Sequence, residues 1–371
     1  MPKRSRPTTG DAAVDERLAA LLADLGVTKH RDLLFDILVS STLLALDPPD
    51  RLDLKIVGAA LQEMRAAFGM FAPYAEVPKA TIFGSARTRE DDPLYTHTRD
   101  LAKGLADHGW MVVTGAGPGI MAAGMEGAGV ERSIGVLIRL PFEAGANELI
   151  AGDDKLVEMK YFFTRKLMLI KESAAFIAMP GGFGTLDETF ELFTLVQTGK
   201  AQLAPIVLLD TPGGGYWQGL EAWIERQVEA AGLIAAPDRS LYRITDSVEE
   251  AIDEIETFYR NYHSMRYVGD RLVIRLQAPP SDAELDQLST EFADIIDGPI
   301  VATDPLPPEV AGHDNVELPR VACRFDRHGF GRLRALVDEL NRLGTAPAPG
   351  AKPPTIGHLA RVDERLDESA E

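Results

Sequence analysis

A glycine-rich segment followed by a threonine and a glutamate is the part of the sequence best suited to chemistry. In MPGGFGTLDETFE, residues 179–191, Gly181, Gly182 and Gly184 precede Thr185, and Glu188 follows three residues later. Glycine N–H groups, a threonine hydroxyl and the positive end of a helix dipole together suit a phosphate group. The segment therefore predicts a phosphate-binding turn at the start of a helix.

The same spacing has a second interpretation. Thr185 and Glu188 form the pattern T-x-x-E, which is typical of a capping box in which the glutamate only accepts the backbone N–H of the threonine. Spacing alone does not decide between a capping and a catalytic Glu188. In either case a helix N-terminus favours the charged form, so we expect Glu188 to stay ionised.

Two earlier turns are also rich in glycine, in FGSART and in TGAGPGIM. Such turns let a backbone approach a ligand closely, although a tight turn without a ligand is an equal alternative. The second turn has the spacing G-x-G-x-G rather than G-x-G-x-x-G, and no carboxylate ends the next strand near Arg139, which disfavours NAD. A Walker sequence is absent. The candidate binding residues of these turns are Gly84, Ser85, Gly115, Gly117 and Gly119.

Two cations open a helix that is otherwise apolar. Arg165 and Lys166 lie in YFFTRKLMLIKES, at the end of a helix where the macrodipole disfavours positive charge. This local conflict indicates either a functional role or a solvated face.

Alternating apolar runs and amphipathic helices position these residues. Strands are predicted at residues 80–84, 110–114, 134–139, 175–179, 206–209 and 242–244. Helices are predicted at 94–108, 120–128, 163–172, 185–198, 216–231 and 247–263. The pattern predicts an α/β fold with a Rossmann-like, doubly wound parallel sheet covered on both faces. Such sheets bind ligands beyond the carboxyl ends of their strands, where the glycine turns lie.

Composition changes along the chain suggest four regions. Residues 1–74 read as a helical N-terminal extension that begins with a disordered arm at 1–12, and 75–263 as the nucleotide-binding catalytic domain. Residues 264–345 read as a small α+β module of the type βαββα, and 346–371 as a flexible tail.

Composition also excludes several classes of protein. The 371 residues carry 38 Lys and Arg against 57 Asp and Glu, a net charge of −19, which argues against a nucleic-acid binder. Cys323 is the only cysteine and no HxH or HExxH pair occurs, so we expect no metal site and no disulfide. No secretory signal and no apolar run of about 18 residues occurs, so we expect a cytoplasmic protein without a membrane partner.

The residues TRK and PGGFGTLDE together resemble the LOG ("lonely guy") family, which was long labelled as lysine decarboxylases. Pro180 to Glu188 match the family pattern P-G-G-x-G-T-x-x-E at every fixed position, and the resemblance covers about residues 75–263. It implies a nucleoside 5′-monophosphate phosphoribohydrolase, which releases a free base and ribose 5-phosphate. Some members act on cytokinin nucleotides, and relatives act on purine or pyrimidine monophosphates, as AMP nucleosidases do.

The resemblance also implies roles for particular residues. Arg165 and Glu188 would be catalytic, and Lys166 would join the glycine turns in binding substrate. A carboxylate stabilises the oxocarbenium-like ribose, and a cation helps the base to leave. No cofactor is implied, and family members pair as homodimers, for which the apolar stretch 190–196 is a candidate surface.

Two alternatives to an enzyme remain at this point. One is a non-catalytic carrier of a nucleotide or of molybdenum cofactor, which has a similar sheet and similar turns. The other is a regulatory protein whose enzyme fold is vestigial. Arg165 together with Glu188 favours the enzyme, because a carrier needs no carboxylate beside the ribose.

Overall fold

The structure is a computed structural model that describes residues 7–47, 49–140 and 145–348. The chain divides into two compact units, with the boundary between Met64 and Arg65. The first unit contains α1 (Ala12–Asp24), α2 (Arg31–Leu46) and most of α3 (Arg51–Phe71). This is the helical extension that the leucine spacing predicts.

The predicted arm at residues 1–12 is described only from Pro7 onwards. There the Thr9 hydroxyl donates to Asp15 at 2.7 Å, and the Asp11 carboxylate caps α1 by accepting the Ala13 N–H. Residues 7–11 therefore form the N-terminal cap of a helix.

The second unit contains a seven-stranded parallel sheet with strand order β4-β3-β2-β1-β5-β6-β7. The strands are β1 (Lys79–Phe83), β2 (Met111–Thr114), β3 (Ser133–Ile138), β4 (Leu156–Met159), β5 (Ala175–Ala178), β6 (Ile206–Leu209) and β7 (Arg243–Thr245). The Rossmann-like parallel sheet is thus confirmed, and β1 lies between β2 and β5. Their carboxyl ends bring the three glycine turns to one edge of the sheet.

The edge strand β4 is the one strand of this sheet that the sequence analysis missed. Its residues LVEM are half-exposed and alternate, with Val157 and Met159 buried and Glu158 exposed. A strand at the edge needs only one apolar face, so its sequence lacks the continuous apolar run that marks the central strands.

Among the described residues, five helices connect the parallel strands, and a sixth follows β7 and leads to the next sheet. They are α4 (Pro93–Asp107), α5 (Ile120–Ala128), α6 (Phe162–Lys171), α7 (Phe183–Gln197), α8 (Tyr216–Trp223) and α9 (Val248–Phe258). α8 is shorter than predicted because residues Ile224–Glu229 continue as a π-helix. α9 ends five residues before the predicted limit, since the Asn341 side chain accepts the backbone N–H groups of Asn261 and Tyr262 and starts a strand there.

A four-stranded antiparallel sheet follows, with strand order β10-β11-β9-β8. Its elements are β8 (Tyr262–Val268), β9 (Arg271–Leu276), α10 (Asp282–Glu291), β10 (Ile296–Ala302), α11 (Pro307–Ala311), β11 (Arg320–Phe325) and α12 (Phe330–Arg342). The predicted βαββα pattern lacked β8, whose first two residues were placed in the preceding helix and whose other residues were given no element, and it lacked the short α11. This sheet lies in the same compact unit as the parallel sheet. Most of the predicted tail, from residue 349, is outside the described residues.

Candidate active site

The turns after β1, β2 and β5 meet at the edge of the sheet. Ser85 O accepts the Ile120 N–H at 3.0 Å, and a Cβ at Gly119 would lie 2.4 Å from the same oxygen. A Cβ at Gly181 would lie 3.2 Å from Ser85 N. The backbones of the three turns are therefore in direct contact, which fixes the floor of the site.

Gly115 makes room for the guanidinium group of Arg165. A Cβ at Gly115 would lie only 2.0 Å from Nη2 of Arg165, so any side chain there would displace it. Arg165 lies in the first turn of α6, and its Nε donates to the carbonyl of Val136 in β3 at 3.0 Å. Burial lowers the pKa of Arg165 and the neighbouring Glu188 raises it. The cation is thus anchored between three chain segments.

The predicted capping box does not form. α7 begins at Phe183 with Gly182 as its N-cap, so Thr185 is the third helical residue and Glu188 lies almost a turn further in. The Thr185 carbonyl instead accepts the Thr189 hydroxyl at 2.7 Å. The capping interpretation of Glu188 is therefore wrong, because the helix starts two residues earlier than its sequence suggests.

Glu188 is buried without a full set of partners. Its side chain is 8% exposed, and within the described ranges its Oε2 atom has no hydrogen-bond donor. Burial raises the pKa of Glu188 to about 7, although Lys166 and Arg165 both act to lower it. With a pKa of about 7, Glu188 is only partly ionised at neutral pH, less than the helix position alone predicts, because the loss of solvation outweighs the attraction of the two cations.

Lys166 faces carboxylates of α7. Its Nζ lies 2.8 Å from Asp187, 2.9 Å from Glu191 and 3.9 Å from Oε2 of Glu188. The side chain is only 14% exposed. These contacts resolve the unfavourable placement of Lys166 at a helix N-terminus, since the opposing charges come from the adjacent helix.

The N-terminus of α7 is the open part of the site. Gly182 and Gly184 are exposed, a Cβ at either would meet nothing within 4 Å, and no side chain caps the helix. The first-turn N–H groups of a helix have no carbonyl partner within it. By contrast, a Cβ at Gly84 or Gly117 would strike side chains of α5, so these two glycines serve packing in addition to any ligand.

Two residues that the sequence analysis missed hold the turns in shape. The Asn147 side-chain amide donates to the carbonyls of Ala116 and Gly117 at 3.1 and 3.0 Å. The Tyr216 hydroxyl donates to the carbonyl of Gly181 at 2.6 Å. Each lies about 30 residues or more from its partner in the chain, so no local spacing could have revealed the pairing.

The described residues contain no group of three or more His, Cys, Asp and Glu side chains that could hold a metal ion. Cys323 lies in β11 of the antiparallel sheet, where burial raises the pKa of its thiol to about 12. Among all the residues that the structure describes, no helix combines the length and the apolarity that a membrane crossing requires.

Comparison with known proteins identifies relatives of this chain. A family model described as "Possible lysine decarboxylase" matches residues 116–255. A probable cytokinin riboside 5′-monophosphate phosphoribohydrolase of Oryza sativa subsp. japonica is 32% identical over 167 residues, which are 44% of this chain and 76% of the relative. A cytokinin riboside 5′-monophosphate phosphoribohydrolase of Mycobacterium tuberculosis is 30% identical over 158 residues, 41% of this chain and 80% of the relative.

Among solved structures, the molybdenum cofactor binding protein of Rippkaea orientalis aligns with a TM-score of 0.36 at 19% identity. The alignment covers 49% of this chain and 96% of the Rippkaea orientalis chain. The two phosphoribohydrolase relatives each align with this chain over more than three quarters of their own length. The chain therefore belongs to the LOG family of cytokinin riboside 5′-monophosphate phosphoribohydrolases.

Proposed function

We propose that this protein hydrolyses the N-glycosidic bond of a nucleoside 5′-monophosphate and releases the free base and ribose 5-phosphate. The observation that carries the proposal is Glu188, a buried carboxylate with an unpartnered oxygen close to Arg165 and the glycine turns. A buried charge without a partner costs free energy in the empty protein. That cost is recovered if the substrate supplies the missing positive charge.

The reaction supplies such a charge. As the bond between ribose and base breaks, the ribose gains oxocarbenium character at C1′, and an ionised carboxylate beside it lowers the barrier. The ground-state ribose is neutral and gains less from Glu188. The carboxylate therefore acts mainly on the transition state, and its loss should lower kcat more than it raises KM.

Arg165 suits the departing base. The base gains negative charge as it leaves, and a cation held in place stabilises it without reorganising. The Nε contact with Val136 and the space above Gly115 give the guanidinium one orientation. Arg165→Ala should therefore lower kcat, and a rise in KM would indicate that the guanidinium also grips the bound substrate.

The 5′-phosphate would bind at the N-terminus of α7. The uncapped first turn and residues Gly181–Thr185 offer backbone N–H groups and a hydroxyl to an anion. With a net charge of −19, the chain repels anions globally, so local donors must attract the substrate. Ser85 and the turn at Gly115–Gly119 border the same space.

A panel of substrates tests the proposal. The protein is incubated with the monophosphates of adenosine, guanosine, cytidine, uridine and a cytokinin riboside, and free base is measured by chromatography. We expect base release from at least one monophosphate and almost none from the matching nucleoside. Equal turnover of nucleoside and monophosphate would contradict the phosphate site, and tight binding without base release would instead favour a carrier.

We also propose that the protein works as a homodimer. Phe162 and Phe163 on α6 and Phe183 and Phe190 on α7 are large exposed apolar side chains, and Phe183 is 92% exposed. In the predicted stretch 190–196, Leu192 and Val196 are buried within the chain, so only its exposed face remains for a partner. Light scattering should give the mass of two chains, and a monomer at working concentration would contradict this.

A further inference from the structure

A cavity outside the candidate active site lies where α12 meets α9 and the segment 236–245. Its volume is about 290 Å³, and its lining includes the charged residues Arg239, Arg243, Glu254, Arg334, Asp338 and Arg342. The proposed function uses none of them. The cavity lies at the junction of the antiparallel-sheet module and the parallel-sheet layer, both within one compact unit.

The walls of this cavity are closely packed. A Cβ at Gly331 in α12 would lie 2.2 Å from the carbonyl of Pro237, and the Ser240 hydroxyl donates to the Gly331 carbonyl at 2.6 Å. Backbone contact of this kind leaves no room for α12 to settle further onto the segment. The cavity therefore remains open because these backbone contacts prevent closer packing of α12 on segment 236–245.

The lining carries more positive than negative charge, in contrast to the chain as a whole. Arg239 is already occupied by Glu221 and Glu229. Arg342 pairs with Glu339 at 2.6 Å, but its side chain is 64% exposed, and such a surface pair is easily exchanged. Arg243 is exposed at the rim. Two guanidinium groups can thus turn to an incoming anion.

Arg334 adds a donor that the protein leaves unused. Its side chain is 5% exposed, Nε donates to Asp338 at 2.9 Å and Nη2 binds Glu254. Nη1 is buried and has no acceptor in the described part of the chain. A buried donor without an acceptor costs free energy, which an oxygen atom of a ligand in the cavity would recover.

We propose that this cavity binds the phosphate group of a small metabolite and that its occupancy acts on α7. Arginine side chains converge on phosphate because the planar guanidinium matches its oxygen atoms. Glu254 and Asp338 stay bound to Arg334 and keep its guanidinium oriented. Arg243 and Arg342 close over the anion from the rim.

The route to α7 is short. Gln197, the last residue of α7, donates to the Asp238 carboxylate at 2.7 Å. The Tyr242 ring, which borders the cavity, stacks on Phe193 of α7 with 4.6 Å between ring centroids and 22° between planes. α7 also carries Glu188 and the uncapped turn. A ligand that binds one position of segment 236–245 more tightly than another would therefore bias the position of α7.

The binding test uses isothermal titration calorimetry of the full chain with inorganic phosphate, ribose 5-phosphate and ATP. The double variant Arg243→Gln/Arg342→Gln removes two exposed lining charges. The control, Arg226→Gln/Arg271→Gln, removes two exposed arginines elsewhere. We expect at least one phosphate compound to bind about tenfold more weakly to the first double variant, as the loss of hydrogen bonds to charged groups implies. The control should bind like the wild type.

The proposed active site also binds phosphate, so both double variants are made again in a Thr185→Val background. Binding that survives Thr185→Val and is lost with Arg243 and Arg342 belongs to the cavity, whether or not the protein releases base. No binding in that background, or equal binding by both double variants, would overturn the proposal.

Amide hydrogen exchange tests the link to α7. Saturating phosphate ligand should slow exchange in residues 183–197 of the Thr185→Val protein, and the effect should vanish in its Arg243→Gln/Arg342→Gln variant. Unchanged exchange in α7 with the cavity occupied would overturn the proposed action on α7.

Discussion

Glu188 of the parallel-sheet layer and Glu309 of the antiparallel-sheet module are both buried glutamates, but they differ in the partners of their carboxylate oxygens. The Glu309 side chain is 0% exposed and lies 2.7 Å from Arg275 and 2.8 Å from Arg320. Its second oxygen accepts the Leu306 N–H at 3.1 Å. Glu188 has Lys166 at 3.9 Å as its nearest cation and an oxygen without a donor among the described residues.

The difference separates a structural charge from a chemical one. Around Glu309, Arg275 also binds Asp314, and both oxygens of Glu309 have partners, so these ion pairs hold α11 against the sheet. Glu188 has no cation within hydrogen-bond distance among the described residues, and burial raises the pKa of its carboxyl group to about 7. Perturbed, incompletely paired groups are typical of functional sites, whereas complete networks are typical of structure. The following variants test that distinction, beginning with the largest expected effect.

Glu309→Gln should destabilise the protein strongly without affecting the chemistry. Removal of one partner of a buried ion pair leaves the other charge uncompensated and costs about 3–5 kcal/mol. Urea denaturation should show this loss, while kcat per folded molecule stays near the wild-type value. Glu317→Gln, which changes an exposed carboxylate between α11 and β11, is the matched control and should unfold like the wild type. Equal stability of the two variants would show that Glu309 is not structural.

Glu188→Gln should have the opposite profile. The amide keeps the shape of the side chain but removes the charge that stabilises the transition state, so kcat should fall about a hundredfold or more. KM and the folded structure should change little, because the carboxylate has few partners to lose. Steady-state kinetics and circular dichroism measure the two effects. A variant that keeps most of its kcat would remove Glu188 from the mechanism.

Stability should depend on pH through Glu188. Because its pKa is raised to about 7 in the folded state, the folded protein favours the protonated form. The protonated carboxyl group therefore contributes to the free energy of unfolding. This contribution is complete below the ordinary glutamate pKa and is lost as the pH rises through 7. The loss amounts to roughly 3.5 kcal/mol at most, since each unit of pKa shift corresponds to about 1.4 kcal/mol. Thermal unfolding at pH 5 and pH 8 should show Glu188→Gln gaining stability relative to the wild type at the higher pH.

Lys166→Gln should move the pH dependence of catalysis. The ionised form of Glu188 is the active one, so kcat/KM should rise with pH through its pKa. Lys166 lowers that pKa, and without it the midpoint should shift upward by roughly one unit. Lys171→Gln is the matched control on α6, because Lys171 pairs with Glu172 instead. Coincident pH profiles for the two variants would contradict this role of Lys166.

Tyr216→Phe should have the smallest effect. It removes one hydrogen bond to the carbonyl of Gly181, worth about 0.5–1.5 kcal/mol, and loosens the turn that would hold the phosphate. KM for a monophosphate should rise a few-fold while kcat stays close to the wild-type value. A fall in kcat with unchanged KM would show that Tyr216 acts on the chemical step instead.

Continuous apolar runs predicted the central strands well because those strands are buried on both faces. The same reasoning missed β4, which is half-exposed, and β8, whose first two residues were included in the preceding helix and whose last two are only partly buried. For the site, glycine spacing located the three turns, and the structure brings them together because β1 pairs with both β2 and β5. The glycine spacing could not predict that α7 begins at Phe183, because Gly182 acts as N-cap without a capping side chain.

What the sequence determined by itself is local: the order of strands and helices, the glycine turns, and the residue types that suit a nucleotide. These follow from hydrophobic period and backbone freedom, which neighbouring residues set. Only the tertiary structure decided the state of the charges. Glu188, Lys166 and Glu309 are all charged residues in helices, yet one lacks a donor, one is surrounded by carboxylates and one is fully paired. The energy of a buried charge depends on solvent exclusion and on partners from distant segments, and no local pattern encodes either.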